Sequence, residues 1–224
     1  AERTLPGSIM VNGKGRRFAN EAANYNDIGR AFHTFDPTHF AFENNPAWLI
    51  FDEAFRCRYP VAGFAPDAAP DGLICSAPDL AVLAAAIDVP ADTLTATVAR
   101  FNDGAARGVD PDFQRGVSVY DSYNGDRTQP PPFATLRPLG AGPYHAVRVV
   151  SGALGTKGGP RTDSRARVLD TAGQVIPGLY AAGNAMSGAT GMVYGGAGGT
   201  LGPALTFGWI AGRDAAHAGP GRND

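Results

Sequence analysis

The chain carries little that would mark a metal, redox or nucleic-acid site. Of its 224 residues only two are cysteine and four are histidine. Cys57 and Cys75 stand at neither zinc nor redox spacing, which excludes a C-x-x-C centre and leaves two free thiols suited to a reducing cytoplasm. His33, His39, His145 and His217 are scattered, with no cluster of cysteine or carboxylate around them, so ordinary surface or core histidines are expected rather than metal ligands. The formal net charge is -2 and no basic block is present, which makes nucleic acid and anionic membranes poor partners. No apolar run reaches the ~18 residues of a membrane span, and no secretory signal is read at the start. A cytoplasmic protein is expected, with attachment to a membrane surface left open. Neither the dinucleotide fingerprint G-x-G-x-x-G nor a phosphate loop ending in Gly-Lys-Ser/Thr occurs.

What is present is a core and many turns. Hydrophobic residues make up 44%, and glycine (30) and proline (18) are both high. This suits one large or two small domains with tight, irregular loops. "SIMVNGKGRRFAN" reads as a hairpin turning at Gly13-Lys14-Gly15. "NYNDIGRAFHTFD" reads as a helix capped by Asn24 or Asn26, with Ile28 and Phe32 on one face, ending at Asp36-Pro37. "AWLIFD" is a buried strand. "SAPDLAVLAAAID" is a helix in which Ser76 and Asp79 resemble a capping box and Leu80, Leu83 and Ile87 line one side. Pro90 starts another helix with Leu94, Val98 and Phe101 on its face. Residues 104–132 read as a long irregular, functional or interfacial segment. "PYHAVRVV" is a strand, and "ARVLDTAGQVIPGLYAAG" reads as two strands around a turn at 171–174. A last helix is expected from about Thr200 to Ala216, with Gly208 and Gly212 packed on a neighbour and a frayed tail after it. A boundary is placed at "GTKGG" (155–159), separating residues 1–155 from 156–224. The start lacks an initiator Met and enters a strand pattern almost at once, as an internal piece of a longer protein would.

The densest signal is "GMVYGGAGGTLGPALTFGWIAG", in which eight glycines and a tyrosine open into an apolar helix. Gly196 and Gly198 have G-x-G spacing, but Leu201 stands where the fingerprint requires glycine, so this is not a phosphate cradle. The first-turn N–H groups near Thr200–Pro203 suit an oxygen that gains negative charge, such as a carbonyl undergoing reduction. Pro203 fits a first turn because its missing N–H is not needed there. A tightly packed strand–helix junction with no ligand explains the same residues equally well.

"GLYAAGN" followed by "YGGAGGTLGPALTFGWIAG" closely resembles the flavin-contacting C-terminal segment of the FAD-dependent 3-ketosteroid Δ1-dehydrogenases, within the fumarate reductase-like flavoprotein superfamily. "LPGSIMVNGKGRRFANEAANY", "NPAWLIFDEAFRCRYP", "GVDPDFQRGVSVYDSYNGD" and "GPYHAVRVVSGALGTKGGPRTD" are similar to further segments of that family, in the same order. The resemblance implies an α/β fold: an α+β catalytic domain (1–155) and the C-terminal segment of a Rossmann-like FAD domain (156–224) whose N-terminal βαβ unit is absent. The chain would then be a fragment, or a subunit whose partner polypeptide supplies the rest, and alone it should hold FAD weakly or not at all.

The resemblance further implies 1,2-desaturation of a 3-ketosteroid, with a proton leaving C2 and a hydride leaving C1 for FAD. Tyr194, through its hydroxyl, and the Gly198 N–H would polarise the C3 ketone. Tyr25, which follows the "NE" of "NEAANY", would be the base, supported by a tyrosine outside this chain. Gly183, Asn184, Gly199, Leu201 and Pro203 would contact FAD, mainly through backbone groups. An electron acceptor of unspecified kind would complete the cycle. Tyr180 is expected to pack, and Tyr120, Tyr123 and Tyr144 receive no role. Three other readings compete. Desaturation of the 4,5 bond in 5α-steroids would, by the family pattern, require serine where Gly196 stands. Fumarate reductase-type chemistry would need cations in the pocket, whereas Arg30, Arg137 and Arg148 read as solvated surface residues. A non-catalytic fragment binding an apolar ligand is the third.

Overall fold

The computed structural model describes residues 2–66, 68, 72–188, 190–191 and 193–218. They belong to two units, Ala1–Gly152 and Ala153–Asp224.

In the first unit the run "SIMVN" forms β1 (Ser8–Asn12), buried at all five positions. A strand covered on both sides needs two sets of neighbours. Ile9 and Val11 join a cluster with Leu83, Leu94, Val98 and Phe101, while Met10 packs with Ile28, Phe32 and Ala47. The chain continues through α1 (Tyr25–Ala31), β2 (Phe35–Asp36), β3 (Ala41–Phe42), β4 (Ala47–Asp52), α2 (Glu53–Arg58), β5 (Ile74–Ala77), α3 (Leu80–Ala86), α4 (Ala91–Ala106), α5 (Val119–Tyr123) and β6 (Tyr144–Val149). The main sheet has the order β1-β4-β6-β5 and every pairing is antiparallel. Met10 lies opposite Leu49, and Ala146 lies opposite both Ile50 and Cys75. The residues of α3 and α4 cover one face through Leu83, Leu94, Val98 and Phe101; each such buried side chain contributes roughly 1.5–3 kcal/mol relative to exposure. Leu49, Phe51, Phe55, Tyr59 and Ile74 form a second cluster on the other face.

Several local expectations are corrected. The arm after Gly13-Lys14-Gly15 adds a single bridge, Val11 to Arg17, and β1 pairs along its length with β4 instead. Arg17 turns away because its guanidinium binds buried carboxylates. Asn24 does cap α1, but the helix stops at Ala31, because Phe35–Asp36 pairs with Ala41–Phe42 as a short hairpin. Asp79 alone caps α3, accepting from the Val82 N–H at 2.8 Å. Ser76 belongs to β5, and its hydroxyl meets Nδ1 of His145 at 2.8 Å. Arg137 is no solvated surface group: it makes a two-pronged bond to buried Asp52 at 2.8 and 2.9 Å, and that carboxylate also accepts from the Phe55 N–H as the cap of α2. The segment 104–132 is more ordered than expected, since it holds the last turn of α4 and all of α5.

The second unit contains β7 (Arg167–Leu169) and β8 (Val175–Tyr180), an antiparallel hairpin. Its turn closes with the Asp170 N–H on the Gln174 carbonyl, and Gly173 sits at φ +80°, a left-handed conformation that glycine adopts without steric cost. A 3-10 turn at Gly183–Ala185 precedes the glycine loop, and α6 (Leu201–His217) closes the unit. Gly183 lies so close to α6 that a Cβ there would stand 2.8 Å from that of Ala204. Nothing among the described residues lies within 4 Å of a Cβ built on Gly208 or Gly212. The Tyr180 hydroxyl donates to Asp214 on α6 at 3.0 Å. The tail residues 219–224 lie outside the described residues.

Candidate active site

Tyr25 is the first residue of α1 and is 45% exposed. The residues before it are fixed from several sides. Asn24 caps the helix by accepting from the Asn26 N–H at 2.8 Å. Asn20 accepts from the Ala22 N–H and donates to Asp121. The Arg3 guanidinium donates to the carbonyls of Glu21 and Ala23.

Beneath this segment lies a buried ionic cluster. Arg17 donates twice to Glu21, at 2.7 and 2.8 Å, and twice to Asp110, at 2.7 and 2.8 Å. The rings of Phe101 and Phe113 stand 4.9 and 5.1 Å from its guanidinium carbon. Arg115 adds an ion pair to Glu21 at 3.3 Å and donates to the carbonyls of Ser8 and Leu5. The Met10 N–H completes the shell around Glu21. Burial disfavours the charge of Glu21 and of Asp110, but the arginines outweigh it and hold both carboxyls below their ordinary pKa. Burial likewise opposes the charge of Arg17, and Glu21 and Asp110 overcome it, raising that group. Arg115 shows the opposite balance, with desolvation lowering its pKa. Two cations face two anions, so the cluster carries no net charge into the core.

The remaining expected site residues all lie in the second unit. The glycine loop passes through left-handed backbone at Gly191, Gly196 and Gly198, with φ of +56°, +111° and +88°. The Tyr194 ring rests on Gly199, where a Cβ would come within 2.7 Å of the ring edge. The Gly199 N–H bonds to the Gly196 carbonyl, and the Gly202 N–H to that of Gly198. The N–H of Gly198 makes no hydrogen bond among the described residues. Among the described residues nothing lies within 4 Å of a Cβ position at Gly195, Gly196 or Gly198. Gly183 is buried against Ala204, one residue beyond Pro203, while Asn184 and Leu201 are exposed. Bare glycine backbone and, among the described residues, an unengaged Gly198 N–H precede the start of α6. Among the described residues no group of histidine, cysteine or carboxylate could hold a metal, and no helix is long and apolar enough to cross a membrane.

Two features escaped the reading of the sequence. The ionic cluster had one local signal, the opposite charges of Arg17 and Glu21 four residues apart, but its other half lies about ninety residues on, at Asp110 and Arg115. Lys157, a lone cation among glycines, donates to Oγ1 of Thr190 at 2.7 Å and to the Val193 carbonyl at 2.5 Å, next to Tyr194.

The chain as a whole is similar to known proteins. A family model described as FAD binding domain matches residues 1–201. The chain is 49% identical to 4-oxocyclohexanecarboxylate 2-dehydrogenase of Sinomonas cyclohexanicum, over 100% of this chain and 39% of that protein. It is 46% identical to 3-oxosteroid 1-dehydrogenase of Mycobacterium tuberculosis, over 94% of this chain and 39% of that protein. The crystal structure of 3-ketosteroid delta1-dehydrogenase from Sterolibacterium denitrificans, in complex with 1,4-androstadiene-3,17-dione, is similar with a TM-score of 0.89 and 42% identity, covering 97% of this chain and 40% of that one. The chain thus spans about two-fifths of the length of these relatives. Matched to the model over nearly all of its length, the chain belongs to the FAD-binding domain family, a family of flavoproteins whose cofactor is FAD.

Proposed function

We propose that this chain forms the substrate-binding part of a flavoenzyme that introduces a double bond next to a ring ketone, with a 3-ketosteroid desaturated at C1–C2 as the substrate. The names of the relatives share one chemical relation. In a 3-oxosteroid 1-dehydrogenase and in a 4-oxocyclohexanecarboxylate 2-dehydrogenase, the named carbon stands two bonds from the ketone carbon. The carbon between them bears the proton that the ketone acidifies.

Tyr194 and Gly198 would act at the ketone oxygen. The phenol donates one hydrogen bond and the Gly198 N–H a second, stabilising the enolate that develops as the α-proton leaves. A preorganised donor of this kind contributes about 3–4 kcal/mol. Tyr25 would accept the proton; with a free pKa of ~10, a phenol does so only where its surroundings favour the phenolate. Gly183, Asn184, Gly199, Leu201 and Pro203 would hold FAD, mainly through backbone groups. FAD, when bound, supplies the acceptor for the hydride from the β-carbon. The pyrophosphate-binding βαβ unit would come from the remainder of the enzyme, in the same or a separate polypeptide.

The observation that carries this reading is the Gly198 N–H, unengaged among the described residues, in the loop that seats the Tyr194 ring on Gly199. The test is turnover of 4-androstene-3,17-dione by the complete FAD-loaded enzyme, in which the remainder joins this chain, with an electron-accepting dye. Tyr194→Phe should lower kcat about 10²–10³-fold, and Tyr25→Phe about 10²–10⁴-fold, with flavin retained in both. Near-normal turnover in either variant removes that residue's role. A second reading, a small cyclic oxo acid as substrate, is favoured by the 49% identity over the whole chain to the Sinomonas enzyme. Faster turnover of 4-oxocyclohexanecarboxylate than of the steroid would select it, and the roles of the two tyrosines would be unchanged.

A further inference from the structure

The glycine loop raises a mechanical problem. Between Gly188 and Gly199 six residues are glycine, each freer in the unfolded chain than alanine by roughly 0.5–1 kcal/mol. A loop of this kind does not hold a phenol in place by its backbone preferences.

Lys157 supplies a fixed point. Its ammonium group spends two of its three donors on the loop, one on Oγ1 of Thr190 at 2.7 Å and one on the Val193 carbonyl at 2.5 Å. The Val193 carbonyl belongs to the peptide unit that leads into Tyr194. Both bonds are charge-assisted, and so stronger than neutral ones. The base of the lysine is equally well seated. The adjacent Gly158 N–H bonds to the Asn184 carbonyl at 3.0 Å, and Ser187 donates to the Pro160 carbonyl at 2.9 Å. Gly159 lies so close to Ala185 that a Cβ would fall 2.1 Å from its carbonyl oxygen. The side chain therefore reaches from a segment laid flat against residues 184–187 to the entrance of the loop.

We propose that Lys157 is a positioning residue that sets the placement of Tyr194, so that the phenol meets the ketone oxygen already aligned. This rests on the role proposed above for Tyr194. Misplacement of a reacting group by about 1 Å costs on the order of 10²-fold in rate.

The test is a double-mutant cycle in the complete FAD-loaded enzyme, with K157M, K157R, Y194F and K157M/Y194F, read as kcat and KM. K157M should lower kcat about 10–100-fold, with KM little changed and flavin absorbance and melting temperature as in the parent. K157R should recover most of the loss. On the Y194F background, K157M should cost less than about 2-fold. An equal loss on both backgrounds, or no loss from K157M, overturns the proposal. Hydrogen exchange of the loop amides at residues 190–199 gives an activity-independent readout. K157M should accelerate it about tenfold or more; unchanged exchange also overturns the proposal. Should Y194F itself keep parental turnover, the role of Tyr194 fails instead, and the anchoring by Lys157 is then decided by the exchange rates alone.

Discussion

The chain preceding Tyr25 and the chain around Tyr194 are held in place by opposite means. Before Tyr25, fixation comes from side chains: three arginines, Arg3, Arg17 and Arg115, grip Glu21 through its carboxylate or its carbonyl, and Asp110 closes the cluster. Around Tyr194, side chains are scarce, the backbone bends through left-handed glycines, and Lys157 ties the loop from outside. The difference teaches that a chain segment can be fixed by costly buried charge from within or, where glycine leaves the backbone free, by a single cation that ties it from outside. Under the function proposed above, a group that takes a proton would gain from rigid seating, whereas a loop that binds a ketone would have to leave its own amides reachable.

The two tryptophans allow this contrast to be broken, because Trp48 lies in the first unit and Trp209 in the second. In a Trp209→Phe background, the fluorescence of Trp48 follows the first unit alone. The largest effect is expected from Glu21→Ala, which leaves buried Arg115 without its carboxylate partner and Arg17 with Asp110 alone, and should destabilise that unit by about 3–5 kcal/mol in urea unfolding. A loss below about 1 kcal/mol would mean that the cluster does not carry the segment. Acid should act through the same groups. Burial resists ionisation of Glu21 and Asp110, yet their arginine partners hold both pKa values below the ordinary carboxylate range. The stability they provide is therefore complete above about pH 4–5 and is lost as pH falls through the folded values. Trp48 should report acid unfolding whose steepness falls in Glu21→Ala, and an unchanged pH profile would exclude the cluster as its cause.

The second unit should answer to backbone substitutions instead. Gly183→Ala places a methyl 2.8 Å from the Cβ and 3.0 Å from the Cα of Ala204, at a φ of +60°. It should destabilise by about 1–3 kcal/mol, followed through Trp209 with Trp48 replaced by phenylalanine. The smallest expected effect is that of Asn24→Ala, which removes the cap of α1 and should cost about 1 kcal/mol in the first unit.

Much of the first unit was legible because its signals are local. The strand 47–52 and helix α4, with Leu94, Val98 and Phe101 on one face, announce themselves by periodicity and boundaries. The end of α1 was not legible, since only pairing with Ala41–Phe42 pulls Phe35 and Asp36 out of a helical pattern. The ionic cluster was illegible for a different reason. Charged residues are read as exposed because they almost always are, and nothing local says that Arg17 will meet Asp110 across 93 positions. At the candidate site, the glycines and Tyr194 stood out by composition, whereas Lys157 did not, because a single cation acquires meaning only from what lies within reach of it.

The order of the main sheet has a consequence for how the chain reaches its folded state. β6 is the last strand of that sheet in sequence, yet it lies inside, between β4 and β5. Until residues 144–149 leave the ribosome, β5 has no neighbour in that sheet and one edge of β4 stays open. Closure must bring together stretches nearly a hundred residues apart, the kind of long-range pairing that is slow in general and leaves strand edges open meanwhile.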